Sequence, residues 1–161
     1  MIRSSFSIIG DPIGKPTWQK SDKWLSGDDV RPCVQKYRDW CDQARLCATG
    51  DKDKQIDAQF VYNMFIFSHI RMAKSWSQKK RDALAGSIHQ AKPDSDNITK
   101  AVKDALFGED KYVSGEGVQK FWCYDDEEPR IDIYLIILAD AKAIDKEEAD
   151  CLSEGSEPSV E

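Results

Sequence analysis

One stretch constrains this chain more than any other. Behind Pro93, the residues Ile98, Ala101, Val102, Ala105 and Leu106 recur at i, i+3, i+4, i+7 and i+8. That is the spacing of a helix with one buried face. Such a helix needs an apolar surface to lie on, and the rest of the chain supplies strands. Residues 6–9 are a short apolar run, and residues 59–70 are rich in aromatic and β-branched side chains. Residues 118–124 and 130–138 read as two more strands, with 125–129 as the hairpin connection between them. A second helix is expected from Pro32, a residue suited to a first helical turn. Val34, Tyr37, Cys41 and Ala44 carry its stripe to about Cys47. Residues 74–81 read as a charged loop entering a short helix, and 86–93 as a linker ahead of the helix that starts near Asp94. The order predicts an α+β fold: a mixed β-sheet with helices packed against it, in a single domain.

Charge divides the chain. The stretch 140–161 carries the whole net charge of −6, and the body before it holds equal numbers of acids and bases. The reading is a folded body over 1–139 and an acidic, disordered tail over 140–161. An acidic total therefore leaves room for a local basic face. The longest apolar run, 133–139, is far short of the roughly 20 residues of a membrane helix, and no signal-peptide core precedes Gly10. A cytoplasmic protein is expected, with no membrane association. The five cysteines include no Cys-x-x-Cys pair and there are only two histidines, which argues against a zinc site. Reduced, mostly buried thiols are expected.

The chemistry concentrates at 92–104. Asp94 falls at or before the N-cap of the expected helix, and Asp96 falls in its first turn. Capping and favourable charge at the positive helix end explain such acids by themselves. Asp96, Lys100 and Asp104 also follow i, i+4, i+8 spacing, which predicts a ridge away from the apolar face. Glu116 stands between Gly115 and Gly117, just before a strand. It reads either as a solvated turn residue or as a third carboxylate. Carboxylates converging from a helix start and a strand start can hold a hard divalent cation. Such an ion activates water for phosphodiester hydrolysis, with Lys100 offsetting charge on the phosphate.

The string KPDSDNITKAVKDAL resembles the signature of the RusA-type Holliday-junction resolvases of prophages and bacteriophages. The shared pattern is Asp-x-Asp-Asn, a lysine four residues after the second aspartate, then Asp-Ala-Leu. Here it falls on Asp94, Asp96, Asn97, Lys100, Asp104, Ala105 and Leu106. GDPIGKP at 10–16 is similar to the family's Gly-Lys-Pro loop. The run from Lys20 through Trp24 to Arg38 and Trp40 looks like phage members, as does MAKSWSQKKR at 72–81. The resemblance spans about residues 6–138. It implies a RusA-like fold and a homodimer that binds four-way junctions and cleaves them symmetrically with Mg²⁺, or with Mn²⁺. It implies Asp94 and Asp96 as metal ligands and Lys100 as a catalytic lysine. The family's third carboxylate usually ends an Asp-Asp pair, where this chain has Gly115-Glu116. The arginine that commonly follows Gly-Lys-Pro is Thr17.

Phosphate contacts fit the basic residues Arg71, Lys74, Lys79, Lys80 and Arg81 beside Trp76, with Lys15, Lys20, Lys23 and Lys92 as further candidates. A solvated charged helix is the competing reading of the run. Trp40 and Trp122 read as core or dimer-interface residues. His89 reads as a linker side chain, with contact to DNA or metal as the alternative. Three functions remain open: a metal-dependent endonuclease on branched DNA, a catalytically weakened junction-binding protein of the same fold, and an interaction protein acting through its acidic tail.

Overall fold

The computed structural model describes residues 2–25, 29–56 and 59–141. Strand β1 (Ile2–Ile9) leads through the breaker-rich loop at 10–16 to a 3₁₀ turn, Lys20–Lys23, and then to helix α1 (Pro32–Thr49). Strand β2 (Phe60–Ile70), helices α2 (Gln78–Leu84) and α3 (Ser95–Leu106), strand β3 (Val113–Trp122) and strand β4 (Arg130–Asp140) follow. The α+β expectation holds: this is one four-stranded mixed sheet with helices on it.

The spatial order is β1-β4-β2-β3. β4 pairs antiparallel with both β1 and β2, while β2 and β3 run parallel. The expected β3–β4 hairpin is therefore absent, because β2 lies between the two strands. Parallel neighbours need a crossover of a dozen or more residues, and the segment carrying α2 and α3 supplies it. Position follows composition. β4 is the most continuously apolar strand and sits inside the sheet, with Ile131, Ile133 and Leu135 at most 1% exposed. β3, with two glycines and a glutamate, takes the edge, where a weak strand costs least. β3 also starts five residues earlier than its apolar run suggests, since the Gly-Glu-Gly stretch pairs with Asn63, Met64 and Phe65 of β2.

One sheet face is covered. Ile8, Met64, Ile66, Ile131, Ile133 and Leu135 meet α1 through Tyr37, Trp40, Cys41 and Ala44 and α3 through its predicted stripe. Gly50 closes α1 in the left-handed conformation (φ 77°), its N–H bonding the Leu46 carbonyl, which suits glycine. Asp22, fully buried, ties the loop after β1 to α1. It pairs with Arg31, accepts from the Gln19 N–H at 2.7 Å, and its carbonyl accepts from Arg38 at 2.7 Å. Arg31 holds its carboxyl below the ordinary carboxylate range. No helix among the described residues lies on the opposite sheet face. That face exposes Ile9, Phe65 and Leu138 at 40–49%, with Phe67 and Tyr134 in edge-to-face contact beside them.

Two boundaries differ from expectation. β4 runs to Asp140, and Ala141 is buried with its N–H on the Gln59 carbonyl at 2.9 Å. The folded body thus reaches at least Ala141 rather than stopping at 139. The expected disordered tail, from 142 on, lies outside the described residues. Cys33, Cys41, Cys47 and Cys123 are free thiols, but only Cys41 and Cys123 are buried; α1 turns Cys33 and Cys47 outward.

Candidate active site at the start of helix α3

Asp94 is the N-cap residue of α3, yet its side chain makes no capping hydrogen bond. The capping role that would explain this acid is therefore not the one it plays. Its carboxylate is exposed. Asp96, in the first turn, is also exposed and accepts from Lys100 Nζ at 3.0 Å. That hydrogen bond holds the Asp96 carboxyl below its ordinary value. The i, i+4 geometry predicted for this pair is present.

Two flanking segments hold the helix start. Lys120, on the helix-facing side of β3, donates through Nζ to the carbonyls of Ala91 and Pro93 at 2.8 and 2.9 Å. The loop at 10–16 lies along the other side, where the Lys15 N–H bonds the Asn97 carbonyl at 3.1 Å. A Cβ on Gly14 would stand 3.1 Å from that of Asn97, so the glycine of this loop is what admits it beside the Asp-x-Asp-Asn segment. Two motifs some 80 residues apart in the chain thus meet at one place.

The rest of the expected ridge divides. Asp104 turns away from Lys100 to accept from the Tyr37 hydroxyl at 3.0 Å and to pair with Lys15 at 2.5 Å. Glu116 does face α3 but meets Lys103, at 2.9 Å. Lys103 lies seven residues from Asp96, about 10 Å along the helix axis. Glu116 is four residues from Lys120, about 13 Å along the strand, and it is Lys120 that reaches Pro93. The expected convergence of Asp94, Asp96 and Glu116 is not formed. Among the described residues no three His, Cys, Asp or Glu side chains gather as a metal-holding group. Glu116 sits too far down the strand, and Lys103 neutralises it there.

The sequence reading missed Lys103 and Lys120. Both signals were available: Lys103 is at i+7 from Asp96, and Lys120 shares a strand face with Glu116. His89, expected in a solvated linker, is 3% exposed. Residues 86–89 lie against β3, with His89 N–H on the Lys120 carbonyl at 2.9 Å.

The basic residues separate into paired and unpaired. Arg71 is near Asp11, at 3.4 Å, and Arg81 is near Asp125, at 3.4 Å, while it also donates to Gln78. Lys80 lies over the Trp76 ring at 3.7 Å, and Trp76 meets Trp122 edge-on. Lys20, Lys74, Lys79 and Lys92 are exposed and have no acidic partner among the described residues. Lys23 closes the 3₁₀ turn. Helix α2 buries none of its residues, so its lysines stand on an open surface. It sits at the end of the sheet where β2 and β3 finish, the end that also carries the start of α3.

The family model for endodeoxyribonuclease RusA matches residues 13–136. The chain belongs to the RusA family. The match includes the loop at 13–16, the Asp-x-Asp-Asn segment and β3 through most of β4. RusA-family proteins are endodeoxyribonucleases that act on Holliday junctions. No curated protein matches the chain. No helix among the described residues is long and apolar enough to cross a membrane.

Proposed function

We propose that this RusA-family chain is a metal-dependent endonuclease that resolves four-way (Holliday) junctions by paired phosphodiester hydrolysis. The observation that carries the reading is the free Asp94 carboxylate, an N-cap acid that does not cap, next to Asp96 on an exposed helix start. These oxygen donors suit Mg²⁺ or Mn²⁺, and Asp94 and Asp96 would hold the ion. Bound there, such an ion supplies Lewis-acid activation of water and stabilises the leaving oxygen. Lys100 neutralises Asp96. It is placed to transfer that charge to a phosphate once Asp96 is engaged elsewhere. Backbone N–H groups at the helix start favour the same anion. Lys74, Lys79 and Lys80, with Lys20 and Lys92, would track the DNA backbone.

Paired incision needs two such sites, and a homodimer supplies them. The sheet face that no described helix covers, with Ile9, Phe65 and Leu138 exposed, is an apolar surface of the kind that marks association. We assign the second copy to it, and we place the protein in the cytoplasm of a bacterial cell, with a phage or prophage origin. The Lys103–Glu116 pair favours a second reading, a junction-binding protein with weakened catalysis, because Glu116 joins the aspartates only by leaving Lys103. A junction-nicking assay with and without Mg²⁺ separates the two. Endonuclease function predicts Mg²⁺-dependent nicking that Asp96→Asn abolishes while junction binding is retained. Binding without nicking at any Mg²⁺ or Mn²⁺ concentration supports the second reading.

A further inference from the structure

The segment between α2 and α3 encloses a space. Gly86 and His89 donate to the carbonyls of Trp122 and Lys120, and Trp122 donates to Ser87, all at 2.9 Å. Between this segment, β3 and the first turn of α3 is a cavity of about 240 Å³. Ile88, Val118 and Phe121 form its apolar walls, and His89, Ser95 and Lys120 are polar groups in its lining. Ser95 stands between Asp94 and Asp96, so the cavity adjoins the candidate catalytic carboxylates.

Its polar groups are not equivalent. Lys120 is committed to the Ala91 and Pro93 carbonyls. His89 is 3% exposed, its ring lies 4.1 Å from that of Trp122, and its buried Nδ1 has no hydrogen-bond partner among the described residues. Burial, then the charge of Lys120, hold the imidazole pKa below its ordinary value. The ring is therefore neutral, with one donor and one acceptor nitrogen. A buried polar atom without a partner is destabilising unless something else satisfies it. The volume lies below the roughly 300–1,000 Å³ of sites for drug-sized ligands, and it suits a single flat heterocycle.

We propose that this cavity is a base-recognition subsite. It takes one unstacked nucleobase from the DNA strand whose phosphodiester lies at Asp94 and Asp96, and His89 distinguishes one base from another. The inference rests on the junction-nuclease reading. An unpaired or already single-stranded nucleotide costs least to extrude, and a branch point is where the duplex arms end. The apolar walls accept the faces of a base, and its polar edge bonds the imidazole once the ring turns Nδ1, buried in this structure, toward the cavity. A site built to hydrogen-bond a ligand rejects analogues that leave it unpaired, which makes His89 a specificity residue rather than a catalytic one.

The test uses the full chain and four-way junctions carrying 2-aminopurine at each nucleotide flanking the branch in turn, with chelator present so that no strand is cut. Binding should raise fluorescence about threefold at one position as the base leaves its stack. His89→Phe keeps a ring against Trp122, and Ile88→Ala alters a residue that is 71% exposed. Each should remove about half of that rise or more when read at saturating protein, where a loss of junction affinity does not enter. Should His89→Phe fail to fold by circular dichroism, Ile88→Ala decides alone. A rise at no position, or one that the folded variants leave unchanged, overturns the subsite while junction binding still stands. Absence of junction binding by the unmodified protein overturns the functional reading as well. Free 2-aminopurine nucleotide provides the last arm: saturation by it without any rise in the junction would mean a mononucleotide site, and overturns the proposal.

Discussion

Asp96 and Lys100 show how one local pair sets the state of the site before any ligand arrives. Their charges lie 3.0 Å apart and both side chains are more than half exposed. The pair therefore adds little to stability, and its weight falls on titration instead. Lys100 lowers the Asp96 pKa from 3.8. A depressed carboxylate pKa stabilises the fold above the unfolded value, and that contribution is lost as pH falls through the folded value. NMR titration of the Asp96 carboxyl should give a midpoint below 3.8, and Lys100→Ala should return it toward 3.8. A midpoint unmoved by Lys100→Ala would mean that the two groups do not interact in solution. Glu116 and Lys103 repeat the arrangement two turns further along the helix. At residue scale Lys100 neutralises Asp96 at the helix start and Lys103 neutralises Glu116 away from it, while Asp94 has no partner among the described residues.

Helix α3 has two distinct surfaces, a buried stripe on the sheet and an exposed acidic first turn. Ile98, Ala101, Val102, Ala105 and Leu106 are completely buried, so the sheet-facing stripe fixes the helix without help from its first turn. Asp94 then contributes nothing through its side chain as a cap. Replacing a working cap with alanine costs about 0.5–2 kcal/mol. For Asp94→Ala the expected loss in urea unfolding is at or below the bottom of that range, alongside loss of any Mg²⁺-dependent cleavage. A loss near 2 kcal/mol would return Asp94 to a structural role. Edge strand β3 has a comparable division. Its helix-facing side presents Glu116, Val118 and Lys120 to α3, while Gly115 and Gly117 lie beneath Asn63 and Phe65 of β2, where a Cβ at Gly115 would stand 2.5 Å from the Asn63 side-chain oxygen.

The described residues form a sheet with helices on one face and none on the other. Phe65 lies on the open face at 40% exposure. If a second copy covers this face, Phe65→Glu should convert a dimer to a monomer in light scattering while leaving circular dichroism unchanged. A monomeric unmodified protein would remove the face from consideration. Charge is also distributed at this scale. The body is balanced and the stretch 140–161 holds the net −6, so the proposed function draws its DNA affinity from the local lysines around α2. Truncation after Ala141 preserves β4 and its bond to Gln59. It should leave junction affinity unchanged or tighten it, with the same steep loss of affinity as salt rises. Weaker binding by the folded, truncated chain would place part of the binding surface in the acidic segment.

The sequence by itself determined the elements whose signals are local. The period of Ile98 to Leu106 specified α3 and its buried face. The stripe from Val34 to Ala44 specified α1, and the apolar runs specified the centres of β2 and β4. The Asp-x-Asp-Asn segment and Lys100 were readable for the same reason, since one helix turn sets their mutual geometry. Only the tertiary structure decided what depends on contacts between distant segments. It inserted β2 between β3 and β4, where sequence order suggested a hairpin, because the crossover through α3 makes β3 the parallel neighbour of β2. It placed Glu116 opposite Lys103 rather than beside Asp94, since register along β3 is set by pairing with β2. It also buried His89, whose polar neighbourhood in the chain resembles a linker but whose backbone pairs with the end of β3. Period fixes a face within one element; which faces meet is settled by pairing and burial across the whole chain.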